Sequence, residues 1–445
     1  MADELSSEKI GDRKSSKLKT LLRNRKKILF VAGGVILLLV VSVILVKTIG
    51  AIQNRIKHRD GPAIGGPTIG PAVDNKDQKQ TAETGGDSKS NSSLPACANT
   101  KELFSTFPVE DGKYTSIVPL GNLNPTSHTF PTDHIYVEVA DPRYPKLDTV
   151  AKAKSLIAPA DMWILGIQSS EEVGGITDYA IDFSPCKDVQ GKFGHVGSIS
   201  AALQTEINKV KSDCDEYETG GRKYRSCRYN GLNIPVKAGE KIGTAGSERS
   251  GALDIWLSDY REPPVKRANE SRWYSDRNNV SCFLDYYPAT QKDQFYSFLL
   301  GPGGGKRTKE PRCGTVEVDI AGAAQGVWAY NLEGLFQQED PHLALVFDNV
   351  ETDEQVFSVG TAAISAGIQS GRYFFTPNSE GKVNRDFSQV TADGTVYCYD
   401  TKKDGVAKSI LLAMPTAVKL QLKKSSTACG AGPWQMTDGF IEYDR

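Results

Sequence analysis

Histidine is scarce in this chain, five among 445 residues, and cysteine is missing from the first 96 positions. No two of the eight cysteines (Cys97, Cys186, Cys214, Cys227, Cys282, Cys313, Cys398 and Cys429) form a CxxC pair, which argues against a zinc knuckle or ribbon. A basic excess is also missing where a nucleic acid would need one. Residues 60–445 carry 40 Lys and Arg against 50 Asp and Glu, a net charge of −10. Phosphate backbones require basic surface, so no nucleic-acid partner is expected. With 39% hydrophobic and 24% charged residues the chain is not disordered throughout.

Charge is absent altogether from residues 28–46, ILFVAGGVILLLVVSVILV. About 20 apolar residues cross a hydrocarbon core, so the sequence predicts a transmembrane helix over 28–49. A cleaved signal peptide would have a shorter apolar region and a small-residue cleavage site, and neither is present. Nine basic residues precede the helix (Lys9, Arg13, Lys14, Lys17, Lys19, Arg23, Arg25, Lys26 and Lys27) and four follow it closely. The positive-inside rule makes 1–27 a cytoplasmic basic tail and everything beyond the helix an extracytoplasmic ectodomain of a single-pass cell-membrane protein. All eight cysteines then fall in an oxidising space, where an even count predicts disulfides. Cys214 and Cys227, with 12 residues between them, are the pairing closeness favours. The other six leave 15 connectivities open.

Residues 60–95 are mostly Gly, Pro and polar with almost nothing to bury, so 50–95 is expected to be a flexible linker or stalk. A Gly-rich hinge at 301–307 divides the rest into 96–300 and 308–445. Its likeness to a phosphate-binding loop is superficial: the spacing is one residue short, and Arg307 stands where Ser or Thr would hold magnesium. In the first block, apolar runs predict strands at 135–139, 163–167, 179–183 and 253–257, and three- and four-residue spacing predicts helices at 199–210 and 291–300. The second block reads as strands at 315–320, 327–331, 343–347, 355–360, 372–375, 395–399 and 410–423, the pattern of a β-sandwich or barrel. The fold class expected is therefore mainly β.

Three of the five histidines, His128, His134 and His195, lie in the first block beside acidic residues. The order of local motifs is His128 with Asp133 and His134, then Ala158-Pro-Ala-Asp161, Phe193-Gly-His195-Val196, Val236-Lys-Ala-Gly-Glu-Lys-Ile-Gly243-Thr-Ala-Gly246, and Ala252-Leu253-Asp254. On these motifs residues 115–260 resemble the lysostaphin/LytM-type zinc metallopeptidases, with 197–233 as an insertion holding a helix and the Cys214, Cys227 pair. Carried over, the resemblance implies zinc ligation by His128, Asp133 and Asp254, with His195 and Ala252 at the positions that assist catalysis. Ligation by one His and two carboxylates is chemically allowed. The sequence departs from the family in two ways. Four residues separate His128 from Asp133 where the family has three, and Ala252-Leu-Asp254 replaces the closing His-Leu-His. Ala252 cannot move a proton or stabilise charge, and losing such a group typically costs about 100- to 10,000-fold in rate.

These observations predict a degenerate LytM-like domain without peptidase activity, serving as a cell-wall or envelope binding and regulatory module. Its expected partners are the membrane, through the N-terminal helix, and peptidoglycan or envelope proteins. No cofactor is expected; zinc is the one that the resemblance would supply. The rival readings are a metal-dependent hydrolase of peptidoglycan or peptide and a structural surface or adhesion protein. Pro341-His342-Leu343-Ala344 and the triplets at Asn91, Asn269 and Asn279 are read as ordinary strand and surface sequence.

Overall fold

The computed structural model describes residues 93–139, 154–172, 175–219, 222–247, 250–301, 304–336, 338–430 and 432–445. The tail, transmembrane helix and nearly all of the linker expected from the sequence lie outside the described residues. Among the described residues no helix is long and apolar enough to cross a membrane.

The first sheet has ten strands. Eight run in the order β1 (Ser116–Val118), β2 (His134–Glu138), β10 (Ala252–Asp259), β6 (Val189–Ile199), β5 (Thr177–Cys186), β4 (Met162–Glu172), β8 (Arg222–Val236) and β7 (Asp213–Thr219), and β3 (Ser155–Ile157) joins through β9 (Lys241–Ala245), which pairs with β6. Alternation decides which way the central strands face. Ile135 and Val137 of β2, and Leu253, Ile255 and Leu257 of β10, are at most 1% exposed and enter one apolar core with Ile181, Phe183 and Phe193. The opposite face of the same two strands therefore presents His134, Tyr136 and Glu138 beside Trp256, Asp254 and Ala252, which are paired residue for residue.

The predicted insertion is a helix followed by a β-ribbon. In α1 (Ala201–Ile207) the Ser200 hydroxyl accepts the Leu203 N–H at 3.3 Å, capping the N-terminus, and Leu203 and Ile207 are buried one turn apart. In the ribbon, β7 and β8 put Cys214 directly opposite Cys227, and the two are bonded. The remaining disulfides are Cys97–Cys186, Cys282–Cys313 and Cys398–Cys429. The second predicted helix is α2 (Ala289–Tyr296), which buries Phe295.

The second sheet holds β11 (Gly326–Trp328), β12 (Leu343–Phe347), β13 (Gln355–Val359), β14 (Gly371–Phe375), β15 (Tyr397–Lys403), β16 (Val406–Thr416), β17 (Lys419–Lys424) and β18 (Ile441–Asp444), each antiparallel to the next. Ala329 and Asp444 exchange both backbone hydrogen bonds at 2.7 Å, so the ends meet and the sheet is a nearly closed barrel rather than a sandwich. Its interior is filled by side chains, among them Trp328, Phe357, Phe375, Phe387, Tyr399 and Tyr443.

Barrel and first sheet meet along an apolar seam. Leu123 and Phe130, from the loop before β2, pack with Val327, Ala344, Val346 and Val356 of the barrel wall. At the Gly-rich stretch, Gly301 N–H donates to the Gly305 carbonyl, and Arg307 is buried with its guanidinium on the Asn349 and Pro311 carbonyls. The Cys282–Cys313 bond joins the chain on either side of it.

Candidate functional site

The polar face of β2 and β10 carries a buried cluster of histidines and carboxylates. His134, His195 and Asp254 are 2%, 6% and 4% exposed. The Asp254 Oδ2 lies 3.7 Å from His134 Nε2 and 3.5 Å from His195 Nε2, too far for good hydrogen bonds. The far nitrogen of each ring is held by another carboxylate: His134 Nδ1 by Asp133 at 3.0 Å and His195 Nδ1 by Asp178 at 2.7 Å. Backbone geometry brings His195 here. Its φ is +55°, a left-handed conformation that a residue other than glycine adopts at a cost of about 1–3 kcal/mol, and Gly194 precedes it because a Cβ there would lie 2.8 Å from the Trp256 ring.

Burial holds the Asp254 carboxyl above its ordinary range against the pull of His195 and His134. Burial, then the charge of Asp254, pushes Glu138 up to about 7. The same desolvation, with His134 next, pushes His128 down to about 3, so its imidazole is neutral. Asp133 is the exception. Burial would raise it, but the His134 hydrogen bond and the Arg277 charge prevail and hold it low. Among the buried atoms of the cluster, His134 Nε2, Asp254 Oδ1 and Asp178 Oδ1 have no hydrogen-bond partner.

The ligand set implied by the resemblance does not fit these residues. Asp133 spends Oδ1 on His134 Nδ1 and on the Trp256 indole N–H at 2.8 Å, and its Oδ2 faces Arg277 Nε at 3.6 Å. His134, next to Asp133, is the residue that reaches Asp254; His128 lies with its ring 5.4 Å from that of His134. Asp133 and His134 are adjacent yet both face the cluster, because Asp133 precedes β2 and strand alternation does not govern it. Among the described residues no group of three or more His, Cys, Asp or Glu side chains is arranged to hold a metal ion. Ala252 is buried at its predicted place on the same face, opposite Glu138, and supplies no polar atom.

Sequence reasoning missed Asp178, Arg277 and Glu339. Asp178, the second residue of β5, lies just before the run read as a strand at 179–183 and carried no signal of its own. Arg277 and Glu339 carried none, because Glu339 meets the site from the far end of the chain: its Oε2 accepts the Phe130 N–H at 3.0 Å and its Oε1 faces Arg277 at 3.8 Å. Comparison with known family profiles, with curated proteins and with solved structures returns no match.

Proposed function

We propose that the chain is a membrane-anchored extracytoplasmic module that binds cell wall or an envelope partner without hydrolysing it. The engagement of Asp133 carries this reading: its Oδ1 accepts from His134 and Trp256 and its Oδ2 faces the Arg277 guanidinium, a setting that holds the carboxylate in the protein's own network rather than toward a metal. Ala252 supports it further, because hydrolysis needs groups that move protons and stabilise developing charge. The extracytoplasmic placement rests on the basic tail and the uncharged run at 28–46.

A metal-dependent hydrolase is the second reading, favoured by one observation. A carboxylate behind each imidazole, as Asp133 stands behind His134 and Asp178 behind His195, is how metal-bound histidines are commonly oriented. Purified chain incubated with peptidoglycan separates the two. We expect sedimentation with the polymer, no soluble fragments and no stoichiometric zinc. Tight zinc together with turnover that His195→Ala abolishes would replace the first reading with the second. Failure to bind any wall polymer would leave the structural or adhesion reading in its place.

A further inference from the structure

We propose that residues 124–130 are a lid over the histidine and carboxylate cluster, latched by Phe130 in the wall of the barrel. The lid is a tight turn. Asn124 and His128 exchange both backbone hydrogen bonds at 2.8 Å, and the Ser127 hydroxyl donates to the Asn124 carbonyl at 3.0 Å. The turn lays the His128 ring against the rings of His134 and Tyr136, at 5.4 and 6.4 Å, while Asn124 stays exposed.

The groups that hold the latch come from other parts of the chain. Phe130 is 2% exposed, with the rings of Trp273, Phe336 and His342 at 5.6, 4.8 and 5.6 Å. Its N–H is taken by Glu339, which also faces Arg277, and Arg277 in turn faces Asp133. One aromatic side chain and one carboxylate from the barrel therefore fasten a seven-residue segment over the site. Beneath it lie the unpartnered His134 Nε2 and Asp254 Oδ1. Buried polar atoms are rarely left unpaired in a region that serves packing alone. Release of Phe130 is the movement that would give a polar group from outside access to them. The inference stands whether the outside partner is wall polymer or something else.

The test treats the full chain with diethyl pyrocarbonate and follows each histidine by peptide mass mapping, with amide hydrogen exchange in parallel. We expect slow modification of His134 and His195 in the wild type and an acceleration of at least about tenfold in Phe130→Ala, with exchange in β4 and β5 unchanged. Phe130→Leu should fall between the two. Glu339→Gln, which leaves the aromatic seat filled, should move both histidines in the same direction by about threefold. Unchanged histidine rates in Glu339→Gln, or faster exchange throughout both sheets in Phe130→Ala, would overturn the lid.

Discussion

The ionisable residues of the site impose opposite pH slopes on stability. Glu138, ordinarily near 4.5, keeps its proton in the folded protein up to about 7. Between those values the folded state binds more protons than the unfolded state, so rising pH destabilises it, by up to about 3 kcal/mol. Glu138→Gln should remove that loss, and its melting temperature should fall less than that of the wild type from pH 5 to pH 8. His128 works the other way. It stays neutral in the fold down to about 3, while the unfolded chain takes up its proton near 6.5, so stability is gained as pH rises through that window. His128→Asn should flatten the acid side of the stability profile in urea titrations at pH 4 to 7. An unchanged acid slope would mean that His128 is solvated. His195 and Asp254 could be placed from sequence because short motifs surround them. The role of His134 could not, since its approach to Asp254 depends on where β2 begins.

At the level of elements, continuous apolar runs were mostly legible as strands, and runs broken by glycine or charge were not. The apolar run at 343–347 coincides with β12, and 355–360 with β13 apart from its last residue. The alternating stretch at 315–320 forms no strand, because its carboxylates serve other segments: Glu317 accepts the Lys266 N–H, and Asp319 accepts those of Ala268 and Val327. The run at 410–423 is two strands, β16 and β17, joined by a turn. β6 went unseen because glycines interrupt it. Gly191 is required there, since a Cβ would fall 2.3 Å from the Phe183 ring. The bond expected between Cys214 and Cys227 ties β7 to β8. A loop of that size contributes on the order of 3 kcal/mol in the chain-entropy model. Replacing both cysteines with serine should raise amide exchange in the ribbon well before it does so in β2, β6 and β10. Simultaneous loss of protection in all five strands would show that the ribbon is not a separate unit.

For the whole molecule, Arg445 fastens the barrel where β11 and β18 meet. The Arg445 guanidinium donates to the carbonyls of Ile320, Ala323 and Gln325 and lies 4.1 Å over the Trp328 ring, next to the Ala329 and Asp444 pairing. Arg445→Ala should cost about 2–4 kcal/mol, read as a lower denaturation midpoint, because each charge-assisted hydrogen bond is worth roughly 1.5–3 kcal/mol and their effects overlap. A loss under about 0.5 kcal/mol would show that the strands close without it. Among the described residues the first sheet shows no such closure. Among the described residues β7 pairs with β8 alone, which leaves the outer edge of β7 open to an added strand from a second molecule. Asp213, Asp215 and Glu216 are exposed on that rim. Two copies approaching edge to edge would bring these β7 carboxylates together, so this edge disfavours pairing with its own copy. Replacing the three with serine should make light scattering rise with protein concentration where the wild type stays flat.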